Sequence, residues 1–578
     1  MKQHSGIRQG HALSTALSAS RTNSGTRRAA IAVASAIIAF GAGSALAISQ
    51  SGEQKNMQRL GHTDLQGRGS YQPNVIQYPD GRTMLFVGTH GGSAPNPLKG
   101  GVVQPNGTFI IDVTDTKNPV EKVHIPVPVA GGQAQMVRMC LGSDLPGGQS
   151  GKVYLLRNIQ GSSAAGYELY DVSNPGVDEP VLLKAQRNLR STHKDWWECT
   201  TGIAYMPGSK NATLGPSPLW RQPQSMLIYD WSNPHVNNHA ACGNNLIAAD
   251  PATVGCPTYI RTYGLVGAQP NAPGVNAATS LHGAISAFEH PQAAQKLTRG
   301  ATASDVIGNR VYAAWGVGDD GALQIIDRKK LLPPAYGGTF AGDPDFPTVA
   351  DLEDAQAGLL YMSPDQGGHT SMPVFGMKPG SFQCHKEFQT RDIVVLTSEA
   401  TADRCDEFPH PAFLVDVTVE NSKTAPPGTR IEQSPWQGPM VLSTMWVDPR
   451  LGEKYSRGNY CTRGARFGVH SSEENFTNPY YGRLTFLAYF TGGVRAWDIR
   501  EPYSPVEVGF YVPENDALTN TANGGYMTNN VEVDNRGYIY VVDRNGSGMD
   551  IIGLQGPAQQ IGLGAPNTIT GDCVNDIP

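Results

Sequence analysis

The 578-residue chain is poor in charge, with Asp, Glu, Lys and Arg together at 16%. Past residue 47 it carries no long apolar run and no sustained helical spacing of apolar residues. These absences exclude a helical bundle and, once the leader is removed, a membrane-spanning helix. No cluster of lysines or arginines occurs, which argues against nucleic acid as a partner, because phosphate binding needs a basic face. A Gly-x-Ser-x-Gly elbow, a phosphate loop and a paired-cysteine zinc motif are also missing. Serine hydrolases and nucleotide enzymes lose support with them.

What the chain has in quantity is turn chemistry, with 67 glycines and 42 prolines. That composition suits many short strands. The length exceeds what one hydrophobic core usually holds, so it calls for several domains or one large repeat architecture.

Residues 1–47 hold Lys2, Arg8, Arg21, Arg27 and Arg28 and no acid, then an apolar run from Ala29 that ends in Ala45-Leu46-Ala47. This reads as a signal peptide over 1–47, the small-residue ending favouring cleavage over retention as an anchor. Residues 48–578 then form a single domain, periplasmic or secreted, with no stable membrane span. Loss of the five cations moves the net charge from −6 to −11. Eight cysteines in an exported chain fit disulfides. Cys242 with Cys256, and Cys384 with Cys405, are close enough in sequence to close local loops; Cys140, Cys199, Cys461 and Cys573 cannot be paired from spacing.

One short pattern returns along the mature chain: an apolar pair, Asp, an apolar residue and a polar turn. It ends at Asp112, Asp171, Asp230, Asp327, Asp416 and Asp498, with a degraded seventh copy at Gly553. Each copy follows another strand-like run, such as Gly-Lys-Val-Tyr-Leu-Leu-Arg157, and precedes a further strand, as in Pro505-Val-Glu-Val-Gly-Phe-Tyr. An apolar strand, an Asp that can accept backbone N–H bonds and a Pro that stops the strand make a strand-and-turn unit. Four antiparallel strands repeated seven times predict an all-β fold, a seven-bladed β-propeller. The last copy ends at its third strand, and Met57–Asp64 supplies an orphan fourth strand, so the N-terminal strand should close the last blade. The excess length sits at 173–195, 232–280, 328–367 and 418–467, which predicts long loops over the channel mouth.

The apolar-apolar-Asp-Val-Ser-Asn-Pro unit, as at Leu169 to Pro175, resembles the LVIVD-repeat β-propeller proteins of bacteria. That resemblance covers nearly the whole mature chain and implies a fold, not an activity. The layout is more distantly similar to the selenium-binding protein and methanethiol oxidase propellers, in which histidines are implicated in copper binding. It is also similar to carotenoid-cleaving propellers, where inner-strand histidines hold iron.

Aligning the starts of the innermost strands gives Gln72, Gln133 or Gln135, Glu198, His282, His369, His470 and Asn530 or Asn529. Three neutral imidazoles and one carboxylate on consecutive blades suit a divalent transition metal, Fe, Cu, Mn or Zn, with a position left for substrate. The expected metal ligands are therefore His282, His369, His470 and Glu198. His193, Trp196, Trp197, Gln72, Gln135 and Asn530 are candidate substrate contacts or channel lining; the two tryptophans equally suit packing between blades. No catalytic residue is identifiable. The favoured function is a metal-dependent oxidoreductase or cleaving enzyme for a small molecule. The alternative is a non-catalytic propeller that binds a ligand or protein partner.

Overall fold

A computed structural model describes residues 53–210, 224–235, 256–265, 280–300, 302–380, 389–420 and 438–564. The recurrent aspartates end the third strands of successive antiparallel sheets. Backbone N–H groups of Thr114, Ser173, Ser232, Thr418 and Arg500 donate to Oδ1 of the Asp two residues earlier, at 2.7–3.1 Å. Asp327 instead accepts from Lys330 N and caps a short helix, α1 (Arg328–Leu331). The repeat is thus a turn device: the carboxylate satisfies backbone donors where the ladder stops. Just before the Asp, six third-to-fourth strand pairs carry the same register shift, which bends and twists each blade alike.

Seven blades result. Listed from the channel outward, blade 1 runs Ser70–Gln77, Thr83–Thr89, Gly107–Asp112 and Val120–Pro126, and blade 2 Val137–Leu141, Val153–Ile159, Gly166–Asp171 and Val181–Gln186. In blade 3 the first strand is split into Leu189–Arg190 and Trp196–Trp197, both pairing with Ile203–Lys210, followed by Ser225–Asp230 and Thr258–Tyr263. Blade 4 comprises Leu281–Ser286, Arg310–Trp315, Ala322–Asp327 and Gln356–Tyr361; blade 5 comprises Ser371–Met377, Arg391–Thr397, Ala412–Asp416 and Met440–Met445. Blade 6 holds Leu484–Ala488, Val494–Asp498 and Val506–Val512, with residues 470–473 bonded along its inner edge. Blade 7 is Thr528–Val533, Ile539–Asp543 and Met549–Leu554, completed by Met57–Thr63 as expected. The N-terminal segment goes further than expected, because Glu53–Lys55 also pairs with blade 6. One stretch of chain therefore fastens the last two blades.

Alternation along each middle strand glues neighbouring blades. Met84 and Phe86 enter the cluster shared with Val153 and Leu155 of blade 2, while Leu85 and Val87 enter the one shared with Tyr540 and Val542 of blade 7. Each such fully buried side chain contributes about 1.5–3 kcal/mol.

The extra length is distributed over both faces. Residues 328–355, with α1 and α2 (Val349–Ala355), join the third and fourth strands of blade 4. In an antiparallel blade that connection lies on the face opposite the starts of the innermost strands. The segment 446–469 precedes the inner edge of blade 6 and lies on the expected face. The fourth strands fall inside the long stretches because their irregular, polar flanks masked them.

Cys140 pairs with Cys199, and Cys405 with Cys461. The second bridge corrects the expected Cys384–Cys405 loop: the segments around Cys405 and Cys461 meet on one face of the ring, a proximity that sequence separation does not encode. Cys256 is disulfide-bonded. Residues 1–47, Cys242, Cys384 and Cys573 lie outside the described residues, among which no cysteine is free. No described helix is long and apolar enough to cross a membrane.

Candidate metal centre

His282, His369 and His470 open the inner edges of blades 4, 5 and 6, and all three are buried. Glycines ahead of His369 and His470 let the chain come this close. A Cβ on Gly368 would sit 3.0 Å from Trp315 N, and one on Gly468, at φ +140°, would sit 2.7 Å from the Ala400 Cβ. His282 Nδ1 lies 2.8 Å from the His369 carbonyl, and His470 Nδ1 lies 2.6 Å from the Asn529 carbonyl. A carbonyl only accepts, so both rings carry their proton on Nδ1 and present the Nε2 lone pair. Each of these two rings thereby also ties its blade to the next. His470 Nε2 has no hydrogen-bond partner.

The Nε2 atoms converge. Ring centroids are 3.6 Å apart for His282 and His369 and 4.2 Å for His369 and His470. A parallel bridge between Lys194 and Gly283 sets His193 level with His282, their centroids 4.4 Å apart. Four successive blades, 3 to 6, thus contribute a histidine. From blade 1, the Tyr71 hydroxyl reaches across to 3.4 Å from His193 Nε2, 3.4 Å from His282 Nε2 and 3.3 Å from His369 Nε2. One phenol proton cannot serve three acceptors. Glu399, on the connection after the second strand of blade 5, completes the group. Its Oε2 is 3.6 Å from His369 Nε2 and its Oε1 is 3.6 Å from His470 Nε2. Ligand atoms of His282, His369 and Glu399 all lie within 4.8 Å of one another.

Burial holds His282, His369 and His470 far below the ordinary imidazole value of 6.5, so all three are neutral. Burial first, then adjacent Lys194, pushes His193 down to about 3. Burial raises Glu399, against the pull of Arg466, which donates to it at 2.9 Å, and of Arg544. Neutral imidazoles are the form that ligates a metal.

Glu198 stands elsewhere, and its expected place in the ligand set is corrected. It follows Trp196–Trp197 at the far end of the innermost strand, five residues beyond His193, which at strand rise is about 16 Å. Arg328 grips both of its oxygens at 2.8 and 2.6 Å, and Tyr205, Ser286 and Thr201 donate to them as well. It is a fully engaged structural carboxylate.

The remaining residues fall into two groups. His193 belongs to the cluster. Gln72 accepts from Asn530 at 2.6 Å, so these two amides brace each other, and Gln135 bonds Gln133 and His90. Trp197 packs in the core between blades 2 and 3, and Trp196 lies under the Arg138 guanidinium, 4.8 Å from the ring centroid, facing the opposite end of the channel.

No protein-family model matches the sequence, and no curated protein does. Among solved structures the chain is similar to Sqt1 from Chaetomium thermophilum, at 11% identity over 88% of this chain and 100% of that one, with a TM-score of 0.41.

Sequence reasoning missed Tyr71 and Glu399. Both had a legible signal. Tyr71 is the immediate neighbour of Gln72, which stood in the aligned register. Glu399 follows the strand Arg391–Thr397, whose end reaches the same face as the histidines; His90 after Thr89 and Arg544 after Asp543 occupy the corresponding places in blades 1 and 7.

Proposed function

We propose that the protein is an exported propeller that holds one transition-metal ion among His282, His369 and His470, with His193 and Tyr71 completing the ring and Glu399 as the carboxylate. Its activity is metal-dependent oxidation or cleavage of a small molecule. The observation that carries this reading is the buried grouping of His282, His369 and Glu399, whose ligand atoms all lie within 4.8 Å of one another. The Tyr71 oxygen stands 3.3–3.4 Å from Nε2 of His193, His282 and His369, so it would be within reach of the same ion. The donor set of imidazole, phenol and carboxylate suits Fe, Cu, Mn or Zn. Such a metal supplies Lewis acidity or electron transfer when bound. The chain's own part is orientation and desolvation: backbone carbonyls fix the His282 and His470 tautomers, Arg466 holds Glu399, and the apolar group Ala400, Ala465, Phe490 and Met527 walls the site beside His470. That wall favours an apolar substrate. Disulfides on the described residues support export, and the repeat's resemblance to LVIVD propellers belongs to the same proposal.

The test is a turnover screen of metal-reconstituted protein against small apolar substrates, following oxygen consumption and products, with His369→Ala beside the wild type. Metal-dependent turnover absent from the folded variant supports the reading; turnover unchanged in that variant contradicts it. A non-catalytic binding propeller is the second reading, favoured by the near-complete burial of His282, His369 and His470.

A further inference from the structure

The channel has a second end, and a cavity of about 330 Å³ lies there. This volume is at the small end of ligand-sized pockets, about 300–1,000 Å³. It is built where the innermost strands finish, from Trp196 and Trp197 of blade 3, Phe476 beyond the inner edge of blade 6 and Glu532 of blade 7, with Arg138 and Glu289 also lining it. Gln77, Thr477 and Asn535 form an exposed rim.

The polar groups of this cavity do not balance. Its two cations are engaged: Arg138 with Glu474 at 2.5 Å and Arg536 with Asp534 at 2.8 Å. Lys194, behind the floor, also pairs with Glu474. Glu289 and Glu532 line the same space and stand in no ion pair among the described residues, Glu289 accepting from the Thr200 N–H at 2.7 Å. Glu532 is 4% exposed. Burial, then the Glu474 charge, pushes it up to about 8, and burial raises Glu289. Trp196, nine-tenths buried, has an indole N–H with no partner. Aromatic walls and two carboxyls outside any ion pair describe a site suited to a cation.

We propose that this cavity binds a small organic ammonium ion, its charge against Glu532 and Glu289 and its apolar body against Trp196, Trp197 and Phe476. The inference stands independently of the metal. A ligand cation favours the ionised carboxylate, so binding at neutral pH releases the Glu532 proton.

Isothermal titration of the full-length mature protein tests this with three ammonium probes, phenethylammonium, cyclohexylammonium and tetramethylammonium, beside neutral 2-phenylethanol and anionic phenylacetate. At least one ammonium should bind, the alcohol at least about thirtyfold more weakly and the anion not at all. Glu532→Gln should weaken the ammonium about thirtyfold with unchanged circular dichroism, and Glu289→Gln serves the same purpose if that variant does not fold. The triple variant His282→Ala, His369→Ala, His470→Ala should bind the ammonium as the wild type does, which separates this site from the histidine end. Equal binding of alcohol and ammonium, no binding of any ammonium, unchanged affinity in the folded Glu variant, or loss of binding in the folded triple variant would each overturn the proposal.

Discussion

The Tyr71 hydroxyl of blade 1 stands 3.3 Å from His369 Nε2 of blade 5, crossing the channel to touch the ring of histidines. At that distance the contact is longer than a good O–H···N bond, yet the phenol is buried and its ionisation is pushed far up, by burial and then by Glu399. A buried neutral phenol set among three imidazoles stands where it would join them around a bound ion. Tyr71→Phe should therefore leave the fold intact and lower metal affinity about 10–100-fold, read by competition with a chromogenic chelator. Unchanged affinity would reduce Tyr71 to packing.

Two buried glutamates should separate cleanly. Glu399→Gln removes the carboxylate nearest His369 and His470 and should weaken metal binding while costing little stability. Removing Glu198 leaves Arg328 buried without its partner, so Glu198→Ala should destabilise the protein by about 3–5 kcal/mol and leave metal content unchanged in the folded fraction. Urea unfolding together with elemental analysis checks both; metal loss in folded Glu198→Ala would restore it to the ligand set.

The Cys405–Cys461 bridge spans 56 residues and ties two connections on the histidine face. Loop-closure entropy for that span is worth about 4 kcal/mol. Replacing both cysteines by Ser should lower the unfolding free energy by up to that amount and speed chelator removal of metal. If chelation rates match the wild type, the bridge does not guard the site.

Glu473 is 3% exposed, and burial pushes it from 4.5 up to about 8. In the folded protein it keeps its proton where the unfolded chain has lost it. Its contribution to stability is thus full below about 4.5 and is lost as pH rises through about 8. Urea unfolding between pH 5 and 9 should show a shallower alkaline decline in Glu473→Gln than in the wild type. Parallel curves would refute the assignment.

The blades were legible because six of them repeat an apolar run ended by Asp, which at five copies accepts the N–H two residues on and at Asp327 caps a helix. His282, His369 and His470 were legible because each opens an innermost strand-like run at the same place in its repeat, after Gly-Gly or Gly-Val in the last two. Blade 3 was misread. Its first strand is split, Leu189–Arg190 and Trp196–Trp197, so aligning on the strand-like Trp pair slid the register by five residues and put Glu198 where His193 belongs. Glu399 and Tyr71 were passed over for another reason: their only signal is position, beside Gln72 and after the strand Arg391–Thr397, and they reach the centre from a neighbouring strand or from across the channel.

The central claim is that the four-blade histidine ring holds a metal. Elemental analysis of the mature protein purified without chelator, wild type beside the variant with His282, His369 and His470 all changed to Ala, tests it most directly. The account predicts close to one equivalent of iron, copper, manganese or zinc in the wild type, and none in a variant that remains folded by circular dichroism. A wild type without metal even after reconstitution, or a folded triple variant that retains it, would contradict the account.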